Sequence, residues 1–303
     1  MKVFFNYLIF PGFLFSAIIG LMAGWVDRKV TARIQWRVGP PWYQNFIDIL
    51  KLAYKEIILP QGSSATFLLA PVLGFLAAVL AATILGNAII SPAQTFIGDI
   101  IVVLYLLVIP AVALIIGASS CGNPLASVGV SREMKLVMAY ELPFILSIIS
   151  IIIKSEGAVR IGQIITHQLD FGSHIVSASG AIAFVVSLLC IQAKLGFVPF
   201  DASEAEQEIM GGVLIEYSGL LLAIFRLTRA ILLYTLPLLL ICIFWAGNRG
   251  ILVLLGKYVA LLVAIILIKN TNPRLRIDQV LRFFWGPLTF LAIASVVLSL
   301  LGY

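Results

Sequence analysis

Five carboxylates, Asp201, Glu204, Glu206, Glu208 and Glu216, fall within sixteen residues, with Lys194 a little ahead of them. Glu133 and Glu141 flank Lys135 where another apolar run begins. Closely spaced carboxylates raise one another's pKa, and burial raises it further. Groups tuned in this way exchange protons near neutral pH, the chemistry of a proton relay. A solvated turn would carry the same charges, but Phe197, Pro199, Phe200 and Ile209 interleave with these, the composition of a loop partly folded into protein. Arg226 and Arg229 follow inside a long apolar run. An ionisable side chain at membrane depth costs roughly 2.5 kcal/mol or more. The two arginines therefore mark a hydrated path through a bundle, an internal ion pair, or side chains snorkelling to an interface.

The elements that position these groups follow from composition. Of 303 residues, 61% are apolar and 11% carry charge, against about 25% charged in an ordinary soluble domain. A soluble enzyme is excluded. The apolar runs are continuous, whereas a membrane barrel alternates over ~10-residue segments, so the fold class is an all-α integral membrane protein. The net charge of +6 is no nucleic-acid signal here, because Lys and Arg mark cytoplasmic loops. Cys121, Cys190 and Cys242 are scattered, while an iron–sulfur cluster takes about four spaced thiolates. His167 and His174 share one hydrophilic loop rather than facing each other across helices. The expectation is a chain with no catalytic centre, no metal site and no redox cofactor of its own.

Apolar runs predict about eight spans, at 3–25, 66–90, 99–119, 136–153, 175–196, 212–245, 251–268 and 284–301. Thirteen Lys and Arg residues fall in the loops after the odd-numbered spans, against Lys2, Lys154, Arg160 and Arg249 on the other side. That asymmetry places both termini outside and the loops at about 26–65, 120–135, 197–211 and 269–283 in the cytoplasm. Residues 1–303 read as a single polytopic membrane domain. The sixth run would measure ~51 Å as a straight helix, beyond a ~30 Å hydrocarbon core. It must tilt, protrude or break, with Pro237 a candidate breaking point.

The first cytoplasmic loop breaks at Gly39-Pro40-Pro41 and then predicts an amphipathic helix over 43–59 lying on the membrane surface. Ile47, Leu50, Tyr54, Ile57 and Ile58 share one face; Asp48, Lys51 and Lys55 share the other, with Glu56 beside them. The last loop carries Lys269, Arg274, Arg276 and Arg282 with Asp278, which suits anionic lipid or an acidic partner.

Four ordered blocks carry a family resemblance. Asp27-Arg28-Lys29, Ala32-Arg33-Ile34-Gln35, Arg37-Val38-Gly39-Pro40, Asp48-Ile49-Leu50-Lys51-Leu52 and Lys55-Glu56 make the first. Ser131-Arg132-Glu133 with Tyr140-Glu141 makes the second. Pro199-Phe200-Asp201, Glu204-Ala205-Glu206 and Glu216-Tyr217-Ser218 make the third, and Pro273-Arg274-Leu275-Arg276 with Asp278-Gln279 the fourth. Together they resemble subunit 1 of respiratory complex I. The resemblance implies a heel that joins a soluble electron-transfer arm to antiporter-like membrane subunits. It implies that Arg28, Arg33, Arg37, Asp48, Lys51, Lys55, Glu56, Arg274, Arg276 and Asp278 dock the arm. Glu141, Glu204, Glu206 and Glu216 match the family's acidic funnel, with Glu133, Asp201, Glu208, Arg226 and Arg229 beside them as ion-coupling candidates. Quinone-reducing members carry Glu and Arg where this chain has Lys194 and Phe197. Residues 117–129 and Ser203-Glu204-Ala205-Glu206-Gln207-Glu208 look more like the membrane-bound hydrogenase branch. The implied role is the coupling subunit of a ferredoxin-oxidising, ion-pumping complex in a prokaryotic plasma membrane. That complex would be a nickel–iron hydrogenase or a related sulfane or polysulfide reductase. Iron–sulfur clusters and any nickel–iron centre would sit in partner subunits.

Overall fold

The computed structural model describes residues 2–60, 62–247 and 250–302, without the side chains of residues 2–4 and 206–207. Arg249 and the side chains of Lys2 and Glu206, used above, lie outside the described residues. In chain order the α-helices are α1 (Lys2–Leu8), α2 (Phe13–Ile34), α3 (Gln44–Ala53), α4 (Ala65–Ile90), α5 (Asp99–Ser119), α6 (Pro124–Lys154) and α7 (Ile161–Phe171). They continue with α8 (Ala178–Lys194), α9 (Glu206–Ile209), α10 (Gly219–Phe244), α11 (Ile251–Thr271), α12 (Ile277–Phe283) and α13 (Thr289–Leu300). Among the described residues there is no strand. Among the described residues, seven helical stretches are long and apolar enough to cross a membrane, and the 17-residue α8 is a shorter apolar helix beside them. Lys194 contacts Glu141 and Lys154 contacts Ser179, so α8 runs antiparallel to α6 through the same depth.

Several boundaries differ from the sequence expectation, each for a local reason. The first span is not one helix over 3–25: Pro11 and Gly12 interrupt it, and α2 carries on to Ile34. Asp27 to Arg33 therefore sit on a helix end rather than in a loop. The fourth pass begins twelve residues before the expected 136. Asn123 caps α6, its side chain accepting from the Leu125 N–H at 2.9 Å, and Pro124 takes the first turn, where its missing N–H costs nothing. Glu133 thereby becomes helical. The over-long sixth run breaks at 215–218, just ahead of Gly219, and not at Pro237, which stays inside α10. Gly219 has φ +55°, and a Cβ there would stand 2.6 Å from the Glu56 carbonyl oxygen, so the break is where the chain after α3 presses on α10. The amphipathic helix stops at Ala53, and Ile58 N–H then donates to Ser218 Oγ at 3.0 Å. The last pass is interrupted by one π-helical turn at Phe284–Leu288, around Pro287. His167 and His174 lie on α7 and a short 3₁₀ turn, stacked 5.3 Å apart, rather than in an open loop.

Helix α10 is the axis of the bundle. Every residue from Ile231 to Phe244 is buried, as expected of a helix that is apolar all round. Its last carbonyls have no helical partner and no water in an apolar interior. Gln168 of α7, itself fully buried, donates to the carbonyls of Cys242 and Ile243 at 2.9 Å and accepts from Ala246 N–H at 2.8 Å. Lys257 of α11 donates to the Trp245 carbonyl at 2.5 Å. Gln168→Leu keeps the volume and orphans three buried polar groups at ~1–3 kcal/mol each. The expected loss is about 3 kcal/mol or more, read as a lower thermal unfolding midpoint of the purified protein in detergent.

Candidate functional site

The acids found in sequence divide into three places. The first is a chamber of about 90 Å³, room for several waters. Helix α5 lines it with Leu107, Pro110, Ala111 and Leu114, one helical face at i, i+3, i+4 and i+7. Helix α10 contributes Phe225, Arg226, Arg229, Leu232 and Leu236, also one face. Into this apolar frame α6 projects Glu133 and Tyr140, and the chain leaving α8 adds Lys194, Gly196, Ser203 and Glu204.

Charges in and beside the chamber are partly paired. Arg229 holds Glu204 in a two-point contact, Nη1 to Oε2 and Nη2 to Oε1, both 2.8 Å, the strongest geometry for such a pair. Gly196 makes room for it: a Cβ there would lie 2.6 Å from Arg229 Nη2, at a backbone φ of +60°. Ser203 and Glu133 line the chamber together. Lys194, whose side chain is only 3% exposed, pairs with Glu141 and lies 4.9 Å from the ring centres of both Tyr140 and Phe144. Glu204 and Glu141 thus each have a cation, Arg229 and Lys194, while Glu133 lines the chamber without an ion pair among the described residues and Arg226, also in the lining, is exposed.

The second place is a pair of clasps on the stretch after α8, one to the loop after α11 and one to α6. Arg274 Nε donates to Asp201 Oδ1 at 2.8 Å and its Nη2 bonds Oδ2, while Leu275 N–H donates to the Pro199 carbonyl at 3.1 Å. Arg132 bonds Glu208 at 2.5 Å and the Ala202 carbonyl at 3.2 Å. Asp201 and Glu208 are therefore not among the chamber's acids, contrary to their grouping by sequence. Glu216 is the third place: it lies in the loop before α10, accepting from Asn123 Nδ2 at 2.5 Å, beside Tyr217 stacked on Phe67 with ring centres 4.2 Å apart.

Of the expected docking residues, Arg28 binds Asp48 at 2.9 Å and Asn45 at 2.6 Å, fastening α3 to α2. Burial pushes the Asp48 carboxyl up, but hydrogen bonds from Arg28 and Gln44 outweigh it and hold the group below its usual range. Arg33, Arg37, Lys51, Lys55, Glu56, Arg276 and Asp278 are exposed. Trp36 and Tyr54, which no charge pattern singles out, are 98% and 89% exposed among them.

A family model described as NADH dehydrogenase matches residues 7–300. The chain belongs to the NADH dehydrogenase family. Relatives in this family include an NADH-quinone oxidoreductase subunit from Thermomicrobium roseum, 31% identical with 98% of this chain and 96% of that one covered. The counterpart from Brevibacillus brevis is 28% identical over 97% of this chain and 92% of its own. A chain of the membrane-bound sulfane sulfur reductase, an archaeal respiratory membrane complex, superposes with a TM-score of 0.89 at 29% identity, covering 99% of this chain and 100% of that one. This NADH dehydrogenase family member is a multi-pass membrane protein, and its structural match lies in the complex-I-like branch that the sequence blocks point to.

Ser203 and Asn123 enter the site only through the structure. Asn123-Pro124 carried a readable signal, a cap followed by proline at the first helical position. Lys194 stood out in sequence beside the acids and as a departure from the quinone-reducing pattern, but its partner Glu141, 53 residues away, did not.

Proposed function

We propose that this chain is the coupling heel of a ferredoxin-oxidising, ion-pumping membrane complex. The charge-rich ends of α2, α6, α8 and α10 face the cytoplasm and carry a soluble arm of iron–sulfur and hydrogenase-like subunits. Antiporter-like membrane subunits lie alongside in the bilayer. The reaction centre, whether nickel–iron or sulfane-reducing, and its clusters sit in partners; the structural likeness to the sulfane sulfur reductase supports the sulfur-reducing form. The observation that carries the coupling role is the charge-lined chamber, with Glu133 in its wall outside any ion pair among the described residues. A passive anchor gains nothing from drawing Glu133 and the Glu204–Arg229 and Glu141–Lys194 pairs into the bundle, where desolvation is costly. At about 90 Å³ and lined by charge, the chamber suits waters and a shifting proton rather than a quinone ring.

Glu133 is the chamber acid that makes no ion pair among the described residues, the neighbouring Arg229 being taken by Glu204. Glu133→Gln in the intact complex is expected to leave ferredoxin-dependent electron transfer within about twofold and to lower ion pumping at least tenfold. Unchanged pumping would assign the chain to anchoring instead. Nickel analysis of the same preparation, with hydrogen evolution measured against polysulfide reduction, separates the two reaction types.

A further inference from the structure

The face of the bundle opposite its charge-rich ends brings the chain's two histidines to one spot that no site above uses. His174 sits on the short 3₁₀ turn between α7 and α8 and is 3% exposed. Its Nε2 lies 3.0 Å from the hydroxyl of buried Ser155, at the end of α6. Its ring stacks on His167 of α7, centres 5.3 Å apart, and His167 in turn lies 4.7 Å from Phe171. The Nδ1 of His167 is buried and has no hydrogen-bond partner among the described residues.

The turn is wedged between its neighbours. The His174 carbonyl accepts from Ser177 Oγ at 2.7 Å, and a Cβ at Gly180 would stand 2.0 Å from that carbonyl oxygen, so the turn presses on the start of α8. Gly172 N–H closes the end of α7 on the Gln168 carbonyl. A Cβ at Gly247 would stand 2.4 Å from Ser173 Oγ, so the stretch after α10 presses on the turn as well. Gln168, next to His167, holds the last carbonyls of α10. The histidine stack therefore pins the short helix that caps the axis of the bundle.

This packing accepts only a neutral His174. The charged groups acting on it are His167 from α7 and Lys154 from α6, and both oppose a further positive charge. Around it α8 offers Ser177 and Ser179, and α10 ends at Cys242. Among the described residues no carboxylate pairs with it: Glu156 and Asp170 are exposed, and Asp99 accepts from Ile161 N–H at the opposite end of α7. Lys257 of α11 is committed to the Trp245 carbonyl. Burial first, then His167 and Lys154, hold His174 down to about 4 from an ordinary 6.5. A protonated ring can still donate to the Ser155 oxygen, but its charge would be stranded.

We propose that the stack of His174 on His167 is an acid-released latch: protonating His174 frees the turn and the end of α7, and with them the Gln168 cap on α10. The sign follows from linkage. The latch is at full strength above about pH 6.5 and weakens as pH falls toward 4, because the opened state takes up the proton more readily. Between pH 8 and pH 5 the opened population is expected to rise about thirtyfold. The latch stands without the ion-pumping reading; its use as feedback rests on that reading, by which this is the face where the pump builds up acid.

Hydrogen exchange on the intact complex in lipid nanodiscs, corrected for the intrinsic pH dependence of amide exchange, reads the latch directly. Protection of the α7 amides at 165–171 is expected to fall about thirtyfold from pH 8 to pH 5, with α4 and α5 unchanged. His174→Gln, which keeps a polar group for Ser155 and cannot be charged, is expected to remove the fall. Lys154→Glu, which puts a carboxylate in place of the ammonium, is expected to shrink it at least threefold. Protection independent of pH in the unmodified complex would overturn the latch, and so would an undiminished fall in His174→Gln. Should His174→Gln already be unprotected at pH 8, an undiminished fall in Lys154→Glu overturns it instead. In vesicles, taking that face from pH 8 to pH 5 is expected to slow ion uptake per electron at least threefold more in the unmodified complex than in His174→Gln. Equal slowing beside an opening latch would overturn the feedback alone. An opening latch in a complex whose Glu133→Gln variant still pumps would uphold the latch while overturning the coupling role of the chamber.

Discussion

Lys194→Met is expected to destabilise the protein by about 3–5 kcal/mol and to abolish pumping, and adding Glu141→Gln is expected to restore most of the stability and none of the pumping. The single change leaves Glu141, a half-buried carboxylate at 18% exposure, without its cation, the arrangement that costs most in a desolvated pair. The double change replaces a desolvated pair by neutral groups of similar size, which is often close to neutral for folding. Tyr140 and Phe144 lose an ammonium 4.9 Å from each ring, yet a methionine stem still fills the space between them. Stability follows from the thermal midpoint in detergent, and pumping from ion uptake into vesicles per electron transferred. A double variant that pumps normally would show the pair to be structural. A double variant as unstable as the single one would show that Lys194 holds α8 in place through its packing rather than its charge.

That pair also marks where sequence reasoning stops. The acids at 133, 141 and 201–216 stood out because five carboxylates beside apolar runs are physically unusual, and the chamber does contain Glu133, Glu204, Arg226 and Arg229. Pairing was not legible. Glu204 meets Arg229 across 25 residues, Glu141 meets Lys194 across 53, Asp201 meets Arg274 across 73 and Glu208 meets Arg132 across 76. No helical or turn spacing relates such positions; only the packing of α6, α8 and α10 does. Hydrophobic runs located the spans but misplaced their ends, because α2 and α6 continue as helices well past the apolar segment. Pro237 drew attention as a breaking point, although proline is tolerated inside membrane helices. The actual break needed Gly219, whose role depends on residues 55 and 56 packing against it from another part of the chain.

The second large effect concerns the clasp. Arg274→Glu is expected to release the soluble arm, with co-purified partner subunits and ferredoxin-dependent activity falling at least tenfold. Its Nε and Nη2 are both committed to Asp201, so the change puts a carboxylate against a carboxylate that is itself only 13% exposed. Like charges at contact distance push the loops at 197–211 and 272–276 apart, and the Leu275 to Pro199 hydrogen bond goes with them. On this argument Arg274 acts by shaping the surface, while exposed Arg33, Arg37 and Lys51 are the groups left to touch a partner. The exchange Asp201→Arg with Arg274→Asp rebuilds the pair with its charges reversed and is expected to recover docking at least in part. Recovery in the exchange variant, with Arg33→Glu still releasing the arm, would locate recognition on the first loop. Failure of the exchange variant to recover would mean that the Arg274 guanidinium itself meets the partner. Since the clasp lies outside the chamber, the exchange variant should also pump normally once the arm is bound, whereas Glu133→Gln should bind the arm normally and not pump. Those opposite patterns separate holding the arm from coupling to it within one chain.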